Sequence, residues 1–295
     1  MKHRAGYAAL AGRPNVGKST LLNRLLGQKL VITSHKPQTT RHSILGINTL
    51  DEGQVIYVDT PGMHQRGSKA MNRYLNRAAR SAIAGVDLIV FVLDVSSWTD
   101  EDQVVLEQIR ETGLPVLVAA NKIDLVQPRE NLLPLLAELS SRTGIEKLVP
   151  VSARSGDNCE QLQQQILQAL PPGENIFPED QVSDRPERFF AAELIREQIT
   201  RRYHNELPYA VSIEIEQFEE LSHVIRILAI IWVERDNQKG ILVGKGGQAL
   251  KETSTEARKQ LEDLFQQKVY LRIWDKVKKS WSSDKSSLAQ LGYND

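Results

Sequence analysis

The sequence predicts an α/β domain, with a mostly parallel sheet covered by helices on both faces, followed by a smaller α+β domain. Up to about residue 170, apolar runs typical of buried strands alternate with helical patterns. A proline-rich, acidic stretch at 171–186 then interrupts this pattern and is interpreted as a linker. Beyond it, amphipathic helices and half-exposed strands follow in a different order. The 295 residues are enough for two domains, here placed at 1–170 and 187–295.

Composition is that of a soluble globular protein, with 41% hydrophobic and 25% charged residues. Lys+Arg and Asp+Glu balance at 37 each, so any nucleic-acid contact must be a local patch. The single cysteine, Cys159, excludes a disulfide framework, and its place in a helical pattern favours a small core residue. Because the chain shows neither an apolar run of membrane-spanning length nor a signal-peptide pattern, we expect a cytosolic protein.

The clearest strand of the first domain is the apolar run DLIVFVLDV at 87–95. Residues 51–53 (DEG) join two further strands as a hairpin, which predicts one antiparallel edge strand. The other strands are predicted at 43–50, 54–58, 115–120 and 148–151, and the helices at 18–26, 100–112, 130–142 and 157–170.

Residues 12–19 (GRPNVGKS) fit the G-x-x-x-x-G-K-S pattern of a phosphate loop. Its glycines let backbone N–H groups close around phosphate oxygens, its lysine reaches the β- and γ-phosphates, and its hydroxyl ligates Mg²⁺. We expect Lys18 to neutralise phosphate charge and Ser19 to bind Mg²⁺, with a helix N-terminus favouring the anion. The nucleotide contacts predicted in this stretch are Gly12, Asn15, Val16, Gly17, Lys18, Ser19 and Thr20.

Two further segments complete the predicted phosphate and magnesium site. The motif DTPG follows a predicted strand, so Asp59 can hold Mg²⁺ through water and Gly62 can offer its N–H to the γ-phosphate. The remaining ligand is expected in the polar loop PQTTR, where we choose Thr40 over Thr39. The predicted metal ligands are Ser19, Thr40 and Asp59, and the predicted catalytic groups are Lys18, Thr40 and Gly62.

The motif NKID, at 121–124, predicts selection of guanine. A carboxylate at Asp124 can accept hydrogen bonds from guanine N1–H and N2–H₂, whereas adenine offers neither donor. Asn121 is expected to brace a neighbouring loop, and the stem of Lys122 to lie along the base. Ser152 and Ala153 follow the next strand, where a backbone N–H would meet guanine O6, although this pair alone carries little information.

In this order, GRPNVGKS, TTR, DTPG, NKID and SA resemble the translation-factor-related class of GTPases. The resemblance implies hydrolysis of GTP to GDP with Mg²⁺, and switch loops around Thr40 and just after Gly62. Met63 stands where the best-known small GTPases have a glutamine that orients the attacking water, so we expect slow hydrolysis without a partner or ion. Asn15 is similar to the asparagine that helps to hold K⁺ in some relatives. His64 is an alternative base, but more often such a histidine is a solvated switch residue.

The second domain contains a G-x-x-G loop with a lysine inside it, in the stretch Val243–Leu250 (VGKGGQAL). Small residues let phosphates approach, while a helix N-terminus and Lys245 meet their charge. Helices are predicted at 189–203 and 250–265, and strands at 211–216, 224–234 and 269–273, whereas 238–243 is ambiguous between strand and helix. This order resembles the prokaryotic, or type II, KH domain, which binds RNA and by analogy makes 238–243 a helix.

Basic charge is concentrated in this domain, since residues 226–285 hold 13 Lys/Arg against 8 Asp/Glu. Four lysines, Lys276, Lys278, Lys279 and Lys285, cluster near its end beside Trp274 and Trp281. The lysines are consistent with an RNA-facing patch or with a solvated strand edge, and the tryptophans with base stacking or, the interpretation we favour, with the core. The predicted RNA contacts are Gly244, Lys245, Gly246, Gly247, Lys251, Lys276, Lys278 and Lys279.

A GTPase domain followed by a KH domain, ending in Leu291-Gly292-Tyr293, is similar from end to end to the Era family of ribosome-assembly GTPases. The resemblance implies a monomer that binds near the 3′ end of 16S-type ribosomal RNA in response to its nucleotide and assists assembly of the 30S subunit. In some members it also implies peripheral contact with the inner face of the cell membrane. Two alternatives stay open: an RNA-binding scaffold in which GTP is mainly structural, and a second domain that docks a protein.

Overall fold

The computed structural model describes residues 3–34, 36, 40–59, 70–71, 74–75, 85–203 and 207–293. Its contacts divide the chain into two compact units. The first unit is drawn from Met1–Val31, Thr40–Gly67 and Leu75–Asp184, and the second from Ile32–Thr39, Ser68–Tyr74 and Arg185–Asp295. Each unit is described by itself.

The first unit is an α/β structure. Its strands are β1 (Arg4–Ala11), β2 (Ile44–Leu50), β3 (Gly53–Asp59), β4 (Leu88–Asp94), β5 (Val116–Asn121) and β6 (Leu148–Pro150). Its helices, within the described ranges, are α1 (Lys18–Leu25), α2 (Asp100–Glu111), α3 (Leu132–Thr143) and α4 (Cys159–Ala169). The strands form one sheet in the order β2-β3-β1-β4-β5-β6. All pairs are parallel except that of the edge strand β2 with β3, which confirms the predicted hairpin.

The register of the sheet brings polar residues to its carboxyl edge. Every residue of β4 is buried up to its last position, Asp94, which lies opposite Asn121 at the end of β5. Asp59 ends β3 in the same way, opposite Leu10 of β1. Ligands of open α/β sheets bind outside this edge. Cys159 is buried at the start of α4, as expected for a small core residue.

The proline-rich stretch 171–184 runs beside the edge strand β2. The backbone N–H of Ile47 donates to the carbonyl of Val182 at 2.9 Å, and the hydroxyl of Ser183 donates to the carbonyl of Leu45 at 2.6 Å. These bonds satisfy polar groups that an edge strand would otherwise leave to solvent. Composition alone predicts that this stretch is a linker. The domain boundaries at residues 170 and 187 stay a prediction.

The second unit contains a small sheet with helices on one face. Its elements are α5 (Glu187–Arg202), β7 (Ser212–Glu220), β8 (Ile225–Val233), α6 (Asp236–Val243), α7 (Gln248–Phe265), β9 (Val269–Val277) and α8 (Lys285–Gln290). The sheet order is β7-β8-β9, with β7 antiparallel and β9 parallel to β8. The ambiguous stretch 238–243 is helical, as the KH resemblance implies. In the described part of the chain, no helix is long and apolar enough to cross a bilayer.

The tail after β9 packs into the second unit. The Trp281 side chain is fully buried, its Nε1–H donates to the carbonyl of Ala210 at 3.2 Å, and its ring stacks on Tyr293 at 6.0 Å between centroids. The core interpretation is therefore confirmed for Trp281. Trp274 is only half-buried and lies on the sheet.

A short segment from the first half of the sequence also belongs to the second unit. The backbone N–H of Thr33 donates to Oε1 of Glu197 at 2.9 Å, and the Glu197 side chain is fully buried in α5. The Lys36 ammonium donates to the carbonyls of Thr200 and Tyr203 at the end of the same helix. Cations at a helix C-terminus are stabilising because the last carbonyls lack helical partners.

Candidate functional site

The segment between β1 and α1 has the backbone conformation of a tight, glycine-dependent loop. Asn15 and Gly17 have positive φ values of 63° and 102°. A Cβ on Gly17 would lie 2.3 Å from Nδ2 of Asn121, so no larger residue fits there. Gly17 is also the N-cap of α1 and offers no side-chain cap, which leaves the first N–H groups of the helix available to an anion.

The Lys18 side chain folds back over this loop. Its ammonium donates to the carbonyls of Gly12 and Arg13, each at 2.8 Å, and the residue is 7% exposed. Burial lowers the pKa of Lys18 to about 8, although the nearby Asp59 carboxylate opposes the shift. Phosphate oxygens at this position would stabilise the charged form and raise the pKa again.

This pKa gives a testable prediction for nucleotide binding. Above pH 8 the nucleotide-free protein holds Lys18 mainly neutral, whereas the bound phosphates favour the ammonium, so GDP binding should take up a proton. We expect almost no uptake at pH 7 and an uptake approaching one proton at about pH 9. Calorimetric titrations in buffers of different ionisation enthalpy measure this number. An equal uptake at both pH values would contradict the assignment to Lys18.

The three predicted Mg²⁺ ligands lie together. The Ser19 hydroxyl is 3.1 Å from that of Thr40 and 3.4 Å from Oδ2 of Asp59, and the Thr40 hydroxyl is 3.2 Å from the same oxygen. Two hydroxyls and one buried carboxylate fit a hard cation that keeps waters and takes its other ligands from phosphates. Bound there, Mg²⁺ would neutralise developing phosphate charge. Thr39, Gly62, Met63 and His64 lie outside the described residues.

Asn121 joins three loops at the carboxyl edge of the sheet. Its Nδ2 donates to the carbonyl of Val16 at 2.8 Å, and its Oδ1 accepts the backbone N–H of Ala153 at 2.9 Å. The side chain is 2% exposed, so both partners would be left unsatisfied without it. This is the geometry expected of a brace, and it holds the phosphate loop at a fixed distance from the loop after β6.

Asp124 and Ser152 form a hydrogen-bonded pair that the sequence interpretation missed. The hydroxyl of Ser152 donates to Oδ1 of Asp124 at 2.7 Å, and Ser152 is fully buried. The bond fixes the orientation of the carboxylate, which helps a bidentate acceptor to meet the edge of a base. The sequence predicts only a backbone N–H from this loop, because a Ser-Ala pair is too common to indicate a side-chain role.

Lys122 of the NKID motif forms an ion pair with Asp94, which lies outside the motif. Its backbone is left-handed, with φ 68°, and its ammonium lies 2.8 Å from Oδ2 of Asp94. Burial alone would raise the pKa of Asp94, but the bonds from Lys122 and Ser96 outweigh it and hold the pKa below its ordinary value. Asp94 is the last residue of β4, and its position near the end of the apolar run DLIVFVLDV was the available signal.

The G-x-x-G loop of the second unit has an unusual backbone. Gly244, Gly246 and Gly247 all have positive φ, at 71°, 61° and 78°. A Cβ on Gly244 would approach that of Ala249 to 2.6 Å, whereas a Cβ on Gly246 would have no atom within 4 Å. The loop is therefore packed at its start and open in its middle, where Lys245 is exposed.

Beside this loop, α7 and β9 border a groove of about 390 Å³. The predicted contacts Gly247 and Lys251 line it, together with Arg258 and Arg272, which sequence reasoning did not select. Lys251 and Arg258 on α7 and Arg272 on β9 give the groove three cationic side chains, which suit it to a polyanion.

The three predicted lysines at the end of β9 are not among the groove-lining residues. The Lys276 ammonium lies 3.7 Å from Oε1 of Glu216, and that of Lys278 donates to Oε1 of Gln290 at 2.6 Å. Lys279 is exposed. The predicted RNA contacts therefore do not form a single surface, because these three lysines lie outside the groove that Gly247 and Lys251 line.

Comparison with protein families gives two matches in the order of the two units. A family described as 50S ribosome-binding GTPase matches residues 7–122, and the KH domain family matches residues 206–282. Among curated proteins, the GTPase Era of Pseudomonas putida F1 is 51% identical over 292 residues, covering 99% of this chain and 97% of the relative. The GTPase Era of Pseudomonas aeruginosa PAO1 is 50% identical, covering 99% and 96%.

Two solved structures match over nearly the whole chain. An Aquifex aeolicus Era variant bound to GDP·AlF₄⁻ superposes with a TM-score of 0.94 and 37% identity, covering 98% of this chain and 99% of that one. A structure of Era in complex with MgGDPNP and nucleotides 1506–1542 of 16S ribosomal RNA has a TM-score of 0.95 and 36% identity, covering 99% of both.

Proposed function

This chain belongs to the Era family of GTPases, and from that premise we propose that it is a GTP-hydrolysing switch that binds 16S-type ribosomal RNA near its 3′ end and assists 30S subunit assembly. The observation that carries the proposal is the convergence of Ser19, Thr40 and Asp59, because Thr40 lies in a loop that γ-phosphate and Mg²⁺ can order. The glycine-rich loop and cationic groove of the second unit supply the RNA-binding part.

In the proposed reaction, water attacks the γ-phosphate and GDP leaves, and the protein contributes mainly charge and position. Lys18 would exchange its carbonyl partners for β- and γ-phosphate oxygens. Asp124, held by Ser152, would accept guanine N1–H and N2–H₂. Gly62, through its N–H, remains a predicted catalytic contact.

We also propose that K⁺ assists hydrolysis, because Asn15 stands in the phosphate loop and its left-handed backbone holds it in a fixed place. The cation would supply positive charge where Met63 replaces a polar residue. GTP turnover should be faster in K⁺ than in Na⁺ at equal ionic strength, and Asn15→Ala should remove the difference. Equal rates in the two salts would contradict this role.

The RNA-binding part of the proposal is tested by affinity for an RNA equivalent to nucleotides 1506–1542, at fixed salt, in the GTP-analogue, GDP and nucleotide-free states. We expect a nucleotide-dependent shift of about tenfold, or about 1.4 kcal/mol. Gly246→Asp should weaken binding strongly, because it adds a negative charge at the open centre of the loop. Gly246→Asn is the matched control, since Asp and Asn both tolerate the left-handed backbone of this position and only Asp is charged.

The alternatives predict other outcomes of the same measurement. Tight binding that ignores the nucleotide would favour a scaffold in which GTP is structural. Binding that survives Gly246→Asp combined with Lys245→Ala would favour a protein-docking second domain. We further propose a cytoplasmic monomer with peripheral contact to the inner face of the cell membrane, as the resemblance implies for some members of the family. Analytical centrifugation tests the monomer, and vesicle flotation tests the membrane contact.

A further inference from the structure

The sheet of the second unit has a face directed away from its core. Alternate residues of β8 and β9, such as Ile227, Ile231 and Val269, belong to the core packed under α5 and α7. The residues between them lie on the opposite side, which we call the outer sheet face. Its β9 residues are Tyr270, Arg272, Trp274 and Lys276, paired in register with Arg226, Leu228, Ile230 and Trp232 of β8.

Aromatic rings and cations alternate along β9 on this face. Tyr270 is 52% exposed, so its ring is accessible to a ligand. The Arg272 guanidinium lies 4.8 Å from the centroid of the Trp274 ring, and the Lys276 ammonium 5.7 Å from that of Trp232. Such contacts hold the cations in place over apolar surface. Rings for bases and cations for phosphates are the components with which sheets bind single-stranded nucleic acid.

The charges on this face are divided between its two edges. The carboxylates of β7 lie on one side, where Glu214 accepts Trp232 Nε1–H at 2.7 Å and Glu219 is 3.5 Å from Arg226. β9 forms the other edge of the sheet and carries Arg272 and Lys276, of which Lys276 lies 3.7 Å from Oε1 of Glu216 on β7. A polyanion is therefore directed to the β9 edge.

Arg272 connects this edge to the groove already described. It lines the groove next to Lys251 and Arg258, and it also belongs to the outer sheet face. A strand of RNA leaving the groove at Arg272 therefore meets further rings and cations along β9. A protein partner could also use Tyr, Trp and Arg, but continuity with the cationic groove favours RNA.

We propose that unpaired nucleotides flanking those in the groove cross the β9 edge and bind the outer sheet face. A base stacks on Tyr270, and phosphates contact Arg272 and Lys276. The proposal rests on RNA binding as proposed above, and it extends the RNA site beyond the G-x-x-G groove to a second surface of the same domain.

The test uses the full chain with a GTP analogue and an RNA equivalent to nucleotides 1506–1542, together with the same RNA shortened stepwise from either end. Tyr270→Ala should weaken binding of the longest RNA by about 5- to 150-fold, because one stacked base is lost. Tyr270→Phe keeps the ring and should bind normally. The effect of Tyr270→Ala should vanish once shortening removes the flanking nucleotides, whereas Gly246→Asp should weaken binding at every length.

Leu221→Ala is the matched control, since Leu221 is an exposed apolar residue, 42% accessible, at the turn after β7. It should leave all affinities unchanged. Normal binding of the longest RNA by Tyr270→Ala, with loss in Gly246→Asp, would overturn the outer-face proposal and leave the proposed function standing. An equal loss at every RNA length would overturn it too, because Tyr270 would then act through the groove. Failure of the unaltered protein to bind any of these RNAs would instead reject the proposed function.

Discussion

Asp124→Asn should transfer the base preference of the nucleotide site from guanine to xanthine. The Asp124 carboxylate is predicted to accept hydrogen bonds from two donors of guanine, whereas an asparagine amide would face the guanine N2 amino group with its own NH₂. Xanthine carries a carbonyl at that position and can accept from the amide. The Ser152 hydroxyl can still donate to Oδ1 and keep the side chain in place. We expect GDP affinity to fall on the order of 10⁴-fold and the xanthine nucleotide to bind better than GDP.

Competition between GDP and xanthosine diphosphate for a fluorescent nucleotide measures this exchange. Asp51→Asn is the matched control, because Asp51 is an exposed carboxylate in the hairpin turn between β2 and β3, and it should retain guanine preference. Unchanged GDP affinity in Asp124→Asn would mean that Asp124 does not contact the base. Equal loss of both nucleotides would mean that the substitution damages the loop rather than its specificity.

Trp281→Ala should destabilise the second unit by about 3–5 kcal/mol, as expected for truncation of a large buried aromatic residue. The change removes the stacking on Tyr293 and leaves the Ala210 carbonyl without its indole donor. Trp281→Phe keeps most of the packing and should cost about 1–2 kcal/mol through the lost hydrogen bond. Lys279→Ala, on an exposed neighbour, should change stability by less than about 0.5 kcal/mol.

Hydrogen exchange of the β8 and β9 amides is the appropriate measurement, since two units can unfold separately and a single unfolding midpoint would mix them. If Trp281→Ala lowered the stability of the second unit no more than Lys279→Ala, the tail would not stabilise the sheet. The result would return Trp281 to the alternative in which it stacks on RNA.

The convergence of the predicted nucleotide-site residues could be anticipated because they follow buried strands. Parallel strands end at one edge of a sheet, so a motif after each strand is brought to the same place by topology alone. Asp59 and Asn121 illustrate this, since each is the last residue of its strand. The hydrogen bond between Ser152 and Asp124 was not predictable, because it depends on side-chain geometry between two loops that sequence spacing does not describe.

The second unit shows how a local irregularity limits prediction. Alternation predicts a strand at 211–216, but β7 extends to Glu220. A bulge between Ile215 and Gln217 shifts the alternation of inward and outward side chains by one residue. Phe218 therefore faces the core, whereas strict alternation from Ile215 would place residue 217 there. The helix α8 was missed for another reason: its six residues are too few for a periodic pattern to be recognised.

The segment from Thr33 to Lys36 has a consequence for dissection of the protein into fragments. A C-terminal fragment beginning at Arg185 would omit the donors that reach Glu197 and the end of α5 from earlier in the chain. The Glu197 carboxylate, fully buried in the whole protein, would keep its ion pair with Arg201 but lose the amide of Thr33. The fragment would also lack Met71, whose N–H donates to the Ser282 carbonyl. Because such a fragment lacks residues that pack into its own fold, we expect its RNA affinity to be lower than that of the intact chain.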